Sequence, residues 1–374
     1  MNAQKKQLRG YIPLSVPLNW EPVTGKEPPL RIGASFTMNW FHKRVGVDFS
    51  EPFHVDPVFR FESIMKMKNH VRESFPDIAY FREHDLDGLE RECATVSGVF
   101  GVCLMAMVYG LKPVYFNNNW PAIHPDNHLS VEQIKKLKPF DLKNNPAVEQ
   151  LFEQMDTIQK KWGVIDGYVN YQGILNNAFK LRGDEIFIDM VDDPGFVHHL
   201  FGHITETMIE LIHMVQKRQR ESGFYADSMS TSNCLVNMIS PEMYSEFILS
   251  CDIRLSQVFE AFGVHTCNWI VDPYIDAFKK IENLGYIDFG FNSDLERIGR
   301  VFKNVRKHVF YNPSDLENKT EQEIKDDVLK ICKHLGPCDL SVPDIEYFVP
   351  DEKIIRFFEL AESVAKTYFS NWRD

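Results

Sequence analysis

Strand-like and helix-like segments alternate from about residue 160 to the end of the chain, and this alternation restricts the possible folds more than any other feature. Strands are predicted at 164–171, 225–230, 264–268, 286–290, 308–311 and 339–342. Helical periodicity or an N-cap signal follows each of them, at 174–181, 194, 241, 273–284, 295–305, 320–334 and 351. Repeated strand–helix units form parallel sheets, so we expect an α/β protein. At 374 residues the chain could form two domains or one (β/α)8 barrel.

One predicted strand carries two side chains suited to binding a metal. His265 and Cys267 are separated by one residue in EAFGVHTCNW. Because strand side chains alternate between faces, both would point to the same side. Imidazole nitrogen and thiolate sulfur are common zinc ligands. The alternative is that His265 ends a strand and Cys267 is an ordinary small core residue.

A third ligand is needed for a zinc site with an open position. Cys338 follows Gly-Pro just beyond a helix, whereas Cys332 belongs to the apolar stripe of that helix and is expected in the core. Strand carboxyl ends converge at the mouth of a barrel, so Cys338 could reach His265 and Cys267. Asp288, in the next strand, is the nearest acidic candidate for the fourth position.

A second group of histidines is more conspicuous but less suitable. His199 and His203 are four residues apart in GFVHHLFGHITETMIELIH, with Glu206 nearby. A helical wheel places them opposite the apolar stripe. The face opposite that stripe is expected to be solvated and distant from the strand ends.

Polar residues that could line a pocket lie at the end of the first strand of the alternating region. Tyr168, Asn170 and Gln172 would point in one direction in GYVNYQGILNNAF. They could supply hydrogen-bond donors and acceptors to a substrate, or they could be polar loop residues without a function.

The composition of the chain limits which partners and which cellular compartment are expected. The net charge of -12 argues against nucleic acid and anionic membranes as partners. No apolar run is long enough to span a bilayer, and seven scattered cysteines are typical of a reduced, cytoplasmic protein. Residues 1–30 contain five prolines and are expected to form an irregular N-terminal arm before a barrel at 31–374.

Several stretches of the chain resemble the uroporphyrinogen decarboxylase superfamily. They are SPEMYSEFILSCDIRL, FGVHTCNW, DPYIDAFKKIENLGYIDFG, YNPSDLENKTEQEI and VPDEKIIRFFELAE, with GYVNYQGILNNAFKLRGDEIFIDM upstream. The resemblance covers about residues 50–370 and implies a single (β/α)8 TIM barrel whose site lies at the carboxyl-terminal mouth.

The same resemblance separates two kinds of enzyme. The decarboxylase carries an R-Q-A-G-R segment for substrate carboxylates, but the comparable region here reads IGASFTMNWFHKRVG. The zinc-dependent methyltransferases of the superfamily use an H-x-C pair and a later cysteine. His265, Cys267 and Cys338 fall on those positions, and Asp288 falls near a carboxylate that completes the zinc shell in some relatives.

The resemblance therefore implies a methyltransferase that uses zinc and a corrinoid partner protein carrying methylcobalamin. The other substrate would be a small thiol that receives the methyl group or a methylated compound that donates it. The alternatives are a metal-free lyase similar to uroporphyrinogen decarboxylase and a non-catalytic barrel that binds a small molecule.

Overall fold

A computed structural model describes residues 29–82, 93–225 and 227–370 of the chain. The predicted N-terminal arm, 1–30, therefore lies almost entirely outside the described residues. The strands are β1 (Leu30–Phe36), β2 (Pro113–Val114), β3 (Ala122–Ile123), β4 (Ser228–Ser232), β5 (Ala261–His265), β6 (Leu284–Gly290), β7 (Arg306–Phe310) and β8 (Cys338–Ile345).

Helices connect the strands along the chain. The helices before β4 are α1 (Met38–Val45), α2 (Glu51–Val55), α3 (Pro57–Ser74), α4 (Ala79–Arg82), α5 (Leu104–Val108), α6 (Val131–Lys135), α7 (Pro146–Trp162), α8 (Ile174–Arg182), α9 (Glu185–Asp192) and α10 (Pro194–Glu221). Those after β4 are α11 (Pro241–Met243), α12 (Leu249–Ser256), α13 (Ile275–Phe278), α14 (Leu295–Val301), α15 (Pro313–Asn318), α16 (Glu321–Leu335) and α17 (Asp351–Tyr368), with a π-helical turn at Tyr244–Ile248.

The main sheet has six parallel strands in the order β1-β8-β7-β6-β5-β4. The strands β4 to β8 are neighbours in sequence order, and helices connect each to the next. This confirms the α/β fold expected from the alternation. Because all six strands are parallel, their carboxyl ends lie at one edge, where ligand sites of such sheets are built.

Two irregular segments lie between β1 and β4 in the chain. Thr95 and Asp166 form an isolated parallel bridge. The Tyr168 hydroxyl accepts a hydrogen bond from the Ser230 amide at 2.9 Å and donates to its carbonyl at 3.2 Å, which attaches the second segment to β4. The strand predicted at 164–171 is therefore irregular apart from its bridge.

Helix ends agree well with the capping signals in the sequence. The Asp193 side chain accepts a hydrogen bond from the Phe196 amide at the start of α10, with Pro194 in the first turn. Thr320 and Glu323 form a reciprocal capping box at the start of α16. Both patterns satisfy backbone amides that lack a partner inside the helix.

The strand boundaries differ from those predicted by up to three residues. The strand predicted at 264–268 runs from Ala261 to His265, and the one at 339–342 begins one residue earlier, at Cys338. Thr266 and Cys267 consequently lie beyond β5 and not within it, so strand alternation does not explain how His265 and Cys267 meet.

A buried ion pair lies at the amino end of the sheet. Arg306 of β7 is fully buried and donates two hydrogen bonds to Asp339 of β8, at 3.0 and 2.5 Å. Arg31 of β1 lies 3.5 Å from the same carboxylate. The Asp339 carboxylate thus neutralises the buried charge of Arg306, as buried charges require. Among the described helices, none is long and apolar enough to cross a membrane.

Candidate metal centre and substrate cavity

Two cysteines and a histidine meet at the carboxyl ends of β4 and β5. His265 is the last residue of β5, while Cys234 and Cys267 lie two residues beyond β4 and β5 respectively. The Sγ atoms of Cys267 and Cys234 are 2.9 Å apart, and Cys267 Sγ lies 3.2 Å from His265 Nε2. All three ligand atoms fall within 4.8 Å of one another. This is a donor set of the kind that binds zinc with a fourth position free.

A tight turn places Cys267 beside His265. Cys267 has a positive φ of 61°, a conformation that is uncommon for residues other than glycine. The preceding residue, Thr266, holds the turn, because its amide donates to Asp288 Oδ1 and its hydroxyl donates to the Asp288 carbonyl, each at 2.6 Å. The strained backbone is therefore fixed by β6, as is common at functional sites.

Asp288 forms a hydrogen bond with the ring nitrogen of His265 that does not face the cysteines. Its carboxylate is completely buried, and Oδ2 lies 2.6 Å from His265 Nδ1. Nδ1–H therefore donates to Asp288, and Nε2 faces the two cysteines, where it could bind a metal after losing its proton. This is the carboxylate–histidine arrangement that orients metal-binding imidazoles. Asp288 thus occupies a position behind His265 and not the fourth ligand position that the sequence analysis assigned to it.

A buried chain of hydrogen bonds continues from Asp288 into the sheet. The Tyr286 hydroxyl donates to Asp288 Oδ2 at 2.9 Å and lies 2.9 Å from His308 Nδ1. His308 Nε2 lies 2.7 Å from the Ser341 hydroxyl. Burial lowers the pKa of His308 to about 4, so it is neutral near pH 7. Neutral His308 can donate to Tyr286 through Nδ1 and accept from Ser341 through Nε2.

The charges of the cluster depend on one another. Burial alone would lower the pKa of His265, but the carboxylate of Asp288 and the two neighbouring thiols raise it well above its usual value. The Cys267 thiol donates to Cys234, which lowers the pKa of Cys234 and raises that of Cys267. One sulfur of the pair therefore ionises readily, and a bound cation would favour ionisation of the second.

The loop that carries Cys234 is anchored on both sides. The Asn233 amide donates to the His265 carbonyl at 2.7 Å, and its side chain donates to Asp252 at 2.8 Å. The Leu235 amide donates to the Asn176 side chain at 3.1 Å. Burial raises the pKa of Asp252 to about 6. Cys234 is thus held against β5 by neighbours that are themselves buried or hydrogen-bonded.

The cluster forms part of the wall of a cavity of about 790 Å³. The other walls come from β1, β8 and the segments after residues 117 and 167. Amide and hydroxyl side chains and aromatic rings line the cavity, together with two carboxylates, Asp344 and Glu346. The volume is sufficient for a small organic substrate.

Cys338 does not join this cluster, which corrects the choice of third ligand. It is the first residue of β8, is fully buried, and pairs with Leu30 at the amino end of the sheet. Burial holds the pKa of its thiol above the usual range. Cys234 occupies the place that the sequence analysis gave to Cys338. Cys332 lies on the buried face of α16, as expected.

Cys234 could have been found only indirectly from the sequence. It lies in STSNCLVN, four residues after the strand predicted at 225–230, at the end of a predicted strand where barrel ligands collect. No spacing motif marks it, because its partners are more than 30 residues away and helices lie between them in the chain.

Tyr168, Asn170 and Gln172 all line the cavity. Part of their hydrogen-bonding capacity is used internally. Asn170 Oδ1 accepts from the amide and from the side chain of Gln172, which has a φ of 59°. Gln172 Oε1 in turn accepts from Asn176. These contacts shape the cavity wall next to the loop of Cys234.

The two helical histidines lie away from the cavity. His199 Nε2 donates to the Ile134 carbonyl, and His203 Nε2 donates to the Lys138 carbonyl at 2.9 Å while its Nδ1 accepts from the Tyr109 hydroxyl. Glu206 pairs with Arg254 on the surface. Each imidazole is therefore used to pack α10 against the segment around α6.

Comparison with solved structures identifies a related architecture. The chain superposes on a methyltransferase from Methanosarcina mazei with a TM-score of 0.58 and 14% sequence identity, over 95% of this chain and 96% of that one. The two proteins share a fold. No protein-family model and no curated protein sequence matches the chain.

Proposed function

We propose that the protein is a zinc-dependent methyltransferase that moves a methyl group between a corrinoid protein and a small thiol or methylated compound. The observation that carries this proposal is the Cys234–His265–Cys267 cluster at the wall of a substrate-sized cavity. The fold shared with a methyltransferase supports it. In this proposal the sheet and the two irregular segments beside β1 and β4 form a (β/α)8 barrel of the uroporphyrinogen decarboxylase superfamily.

The protein residues would each contribute a defined step. Cys234, His265 and Cys267 would hold zinc, which when bound either keeps a thiol substrate ionised or polarises the heteroatom of a methyl donor. Asp288 fixes the imidazole through Nδ1. The cavity walls then place the small molecule beside the cluster and exclude water from it.

The open mouth of the cavity is the route for the second substrate. The cluster lies at the carboxyl edge of the sheet, so a corrinoid bound by a partner protein would approach from that side. Exposed apolar side chains occur on loops at this edge, including Met238 after β4, Ile270 after β5 and Phe348 after β8. These exposed apolar side chains support the binding of another protein at the mouth of the cavity.

A metal and activity measurement tests the proposal. Protein purified without chelators should contain about one zinc per chain, and it should catalyse loss of the methyl group from free methylcobalamin in the presence of mercaptoethanol, or the reverse with Co(I) cobalamin and a methylated compound. Cys267→Ala should lose both the zinc and the activity, whereas Cys332→Ser, on the far side of the sheet, should keep both. Absence of stoichiometric zinc, or full activity in Cys267→Ala, would contradict the proposal.

A further inference from the structure

Outside the cysteine and histidine cluster, the charged side chains that line the cavity are acidic, and Lys180 lies behind its wall with Nζ 3.4 Å from Gln172 Oε1. Two carboxylates, Asp344 and Glu346, line it at the end of β8, where Asp344 is near enough to Cys234 and His265 to interact with their charges. Among the described residues that line the cavity, none is lysine or arginine. Zinc held by two thiolates and a neutral imidazole would leave the cluster without net charge, and the Asp288 carboxylate hydrogen-bonded to His265 is a further acidic group. The carboxylates of Asp344 and Glu346 would therefore repel an anionic small molecule.

Neither carboxylate is neutralised within the described part of the chain. Asp344 and Glu346 form no ion pair among those residues, and Asn39 Nδ2 donates a hydrogen bond to Glu346 Oε2 at 3.1 Å. The cavity walls desolvate Asp344 and raise the pKa of its carboxyl group, and the neighbouring Cys234 and Glu346 add to that shift against the opposing effect of His265. A ligand cation would supply the missing partner.

Aromatic rings complete the environment. The rings of Phe310 and Trp120 are half-buried and line the cavity, and the Phe310 ring lies 5.9 Å from the His265 ring. Aromatic faces beside carboxylates attract organic ammonium groups through cation–π and Coulomb forces. The Ser230 hydroxyl also lines the cavity, is 5% exposed, and has no hydrogen-bond partner among the described residues, so it is available to a polar group of the ligand.

We infer that the small molecule bound in this cavity is an organic cation of the ammonium type, held by Asp344, Glu346 and the aromatic rings of Phe310 and Trp120. The inference rests on the proposed function for its chemistry, because a methylated amine would present its methyl groups to the cluster and a cationic thiol would present its sulfur. The binding preference itself is measured without turnover.

A matched pair of probes isolates the contribution of charge. Choline and dimethylbutanol, its uncharged carbon analogue, have nearly the same shape, and dimethylbutyrate supplies the anion. Titration calorimetry of the full-length, zinc-loaded protein should give on the order of 10-fold tighter binding for choline than for dimethylbutanol, with the anion weakest. Equal binding of choline and dimethylbutanol, tighter binding of dimethylbutyrate, or no binding of choline would overturn the inference.

Two double variants assign the effect to the carboxylates. Asp344→Asn with Glu346→Gln should remove most of the preference for choline and leave dimethylbutanol binding unchanged; asparagine also tolerates the positive φ of 52° at position 344. Asp192→Asn with Glu210→Gln changes the net charge equally at exposed sites on α9 and α10 and should keep the preference. A preference that survives in the first double variant would contradict the assignment to these carboxylates.

The result is separable from the test of the proposed function. A protein that lacks zinc and methyl transfer but still prefers choline would refute the enzymatic proposal and retain the cationic site. A protein that transfers methyl groups but binds choline and dimethylbutanol equally would retain the proposed function and refute the cationic ligand.

Discussion

At the scale of single residues, Asp288 determines what His265 can do. The carboxylate accepts a buried hydrogen bond from Nδ1–H, so Nε2 is the ring nitrogen that faces Cys267 and could bind a metal after losing its proton. An imidazole without such a partner would rotate and exchange its tautomers, and its affinity for a metal would fall. The cluster therefore depends on a residue that contributes no ligand atom.

Replacement of Asp288 tests this dependence. Asp288→Asn should weaken zinc binding by about 10- to 100-fold, because the amide supports the imidazole less strongly than the carboxylate. Competition against a chromophoric chelator measures the affinity. Asp276→Asn, an exposed residue of α13, serves as the control and should bind zinc like the unaltered protein. Unchanged affinity in Asp288→Asn would show that the carboxylate does not act through the metal ligand.

The sequence is sufficient to identify two of the three proposed metal ligands but not the third. His265 and Cys267 are recognisable because both residues lie within one short motif. Cys234 is not recognisable, because its approach depends on the packing of two loops from different strands. Cys338 was a poor choice for a physical reason: β8 begins at that residue, and the register with β1 places it at the amino end of the sheet.

At the scale of elements, two glycines allow the ligand loops to approach their neighbours. A Cβ on Gly173, at the start of α8, would lie 2.4 Å from the Ser232 carbonyl and 2.8 Å from the side chain of Asn233. A Cβ on Gly290 would lie 2.6 Å from the Asn268 carbonyl. The loops that follow β4 and β5 can therefore pack closely because these positions carry no side chain.

An alanine substitution tests the role of the close contact between Gly173 and the loop of Cys234. Gly173→Ala should displace the loop of Cys234, which would lower zinc affinity and the free energy of unfolding together. Gly202→Ala, within α10, meets nothing within 4 Å and should instead stabilise the protein by about 0.5–1 kcal/mol without a change in zinc affinity. Denaturant unfolding and chelator competition measure the two quantities. Full zinc affinity in Gly173→Ala would refute the contact's importance.

Elements marked by a capping motif or a run of apolar residues are predictable from the sequence. Segments that are attached to the sheet by individual side-chain contacts are not. The capping box of α16 and the apolar run of β6 follow from local sequence. The segment 164–171 was expected to be a strand, but it is attached through single contacts such as Tyr168 with Ser230 and Thr95 with Asp166. Such contacts leave no periodic pattern in the sequence.

At the scale of the whole molecule, one buried acid couples folding stability to pH. Asp252 is completely buried, and its pKa rises from 3.8 to about 6 because burial disfavours the charged form. The native state therefore binds a proton more tightly than the unfolded chain. The stabilisation from this proton is complete below about pH 4 and is lost as pH rises through about 6.

The difference between the protein and Asp252→Asn should reveal this coupling. Between pH values of about 4 and about 7, the unaltered protein should lose up to about 3 kcal/mol relative to the variant. Denaturant unfolding at both pH values gives the comparison, and other titrating groups cancel because both proteins contain them. A difference that does not change with pH would show that Asp252 is ionised throughout.

The central claim is that Cys234, His265 and Cys267 hold a zinc ion, and X-ray absorption at the zinc edge tests it most directly. The account predicts two sulfur ligands at about 2.3 Å and one imidazole nitrogen at about 2.0 Å in the unaltered protein. Cys234→Ser should lose one sulfur from this shell, and Cys338→Ser should keep both. A shell that loses a sulfur in Cys338→Ser and keeps two in Cys234→Ser would contradict the account.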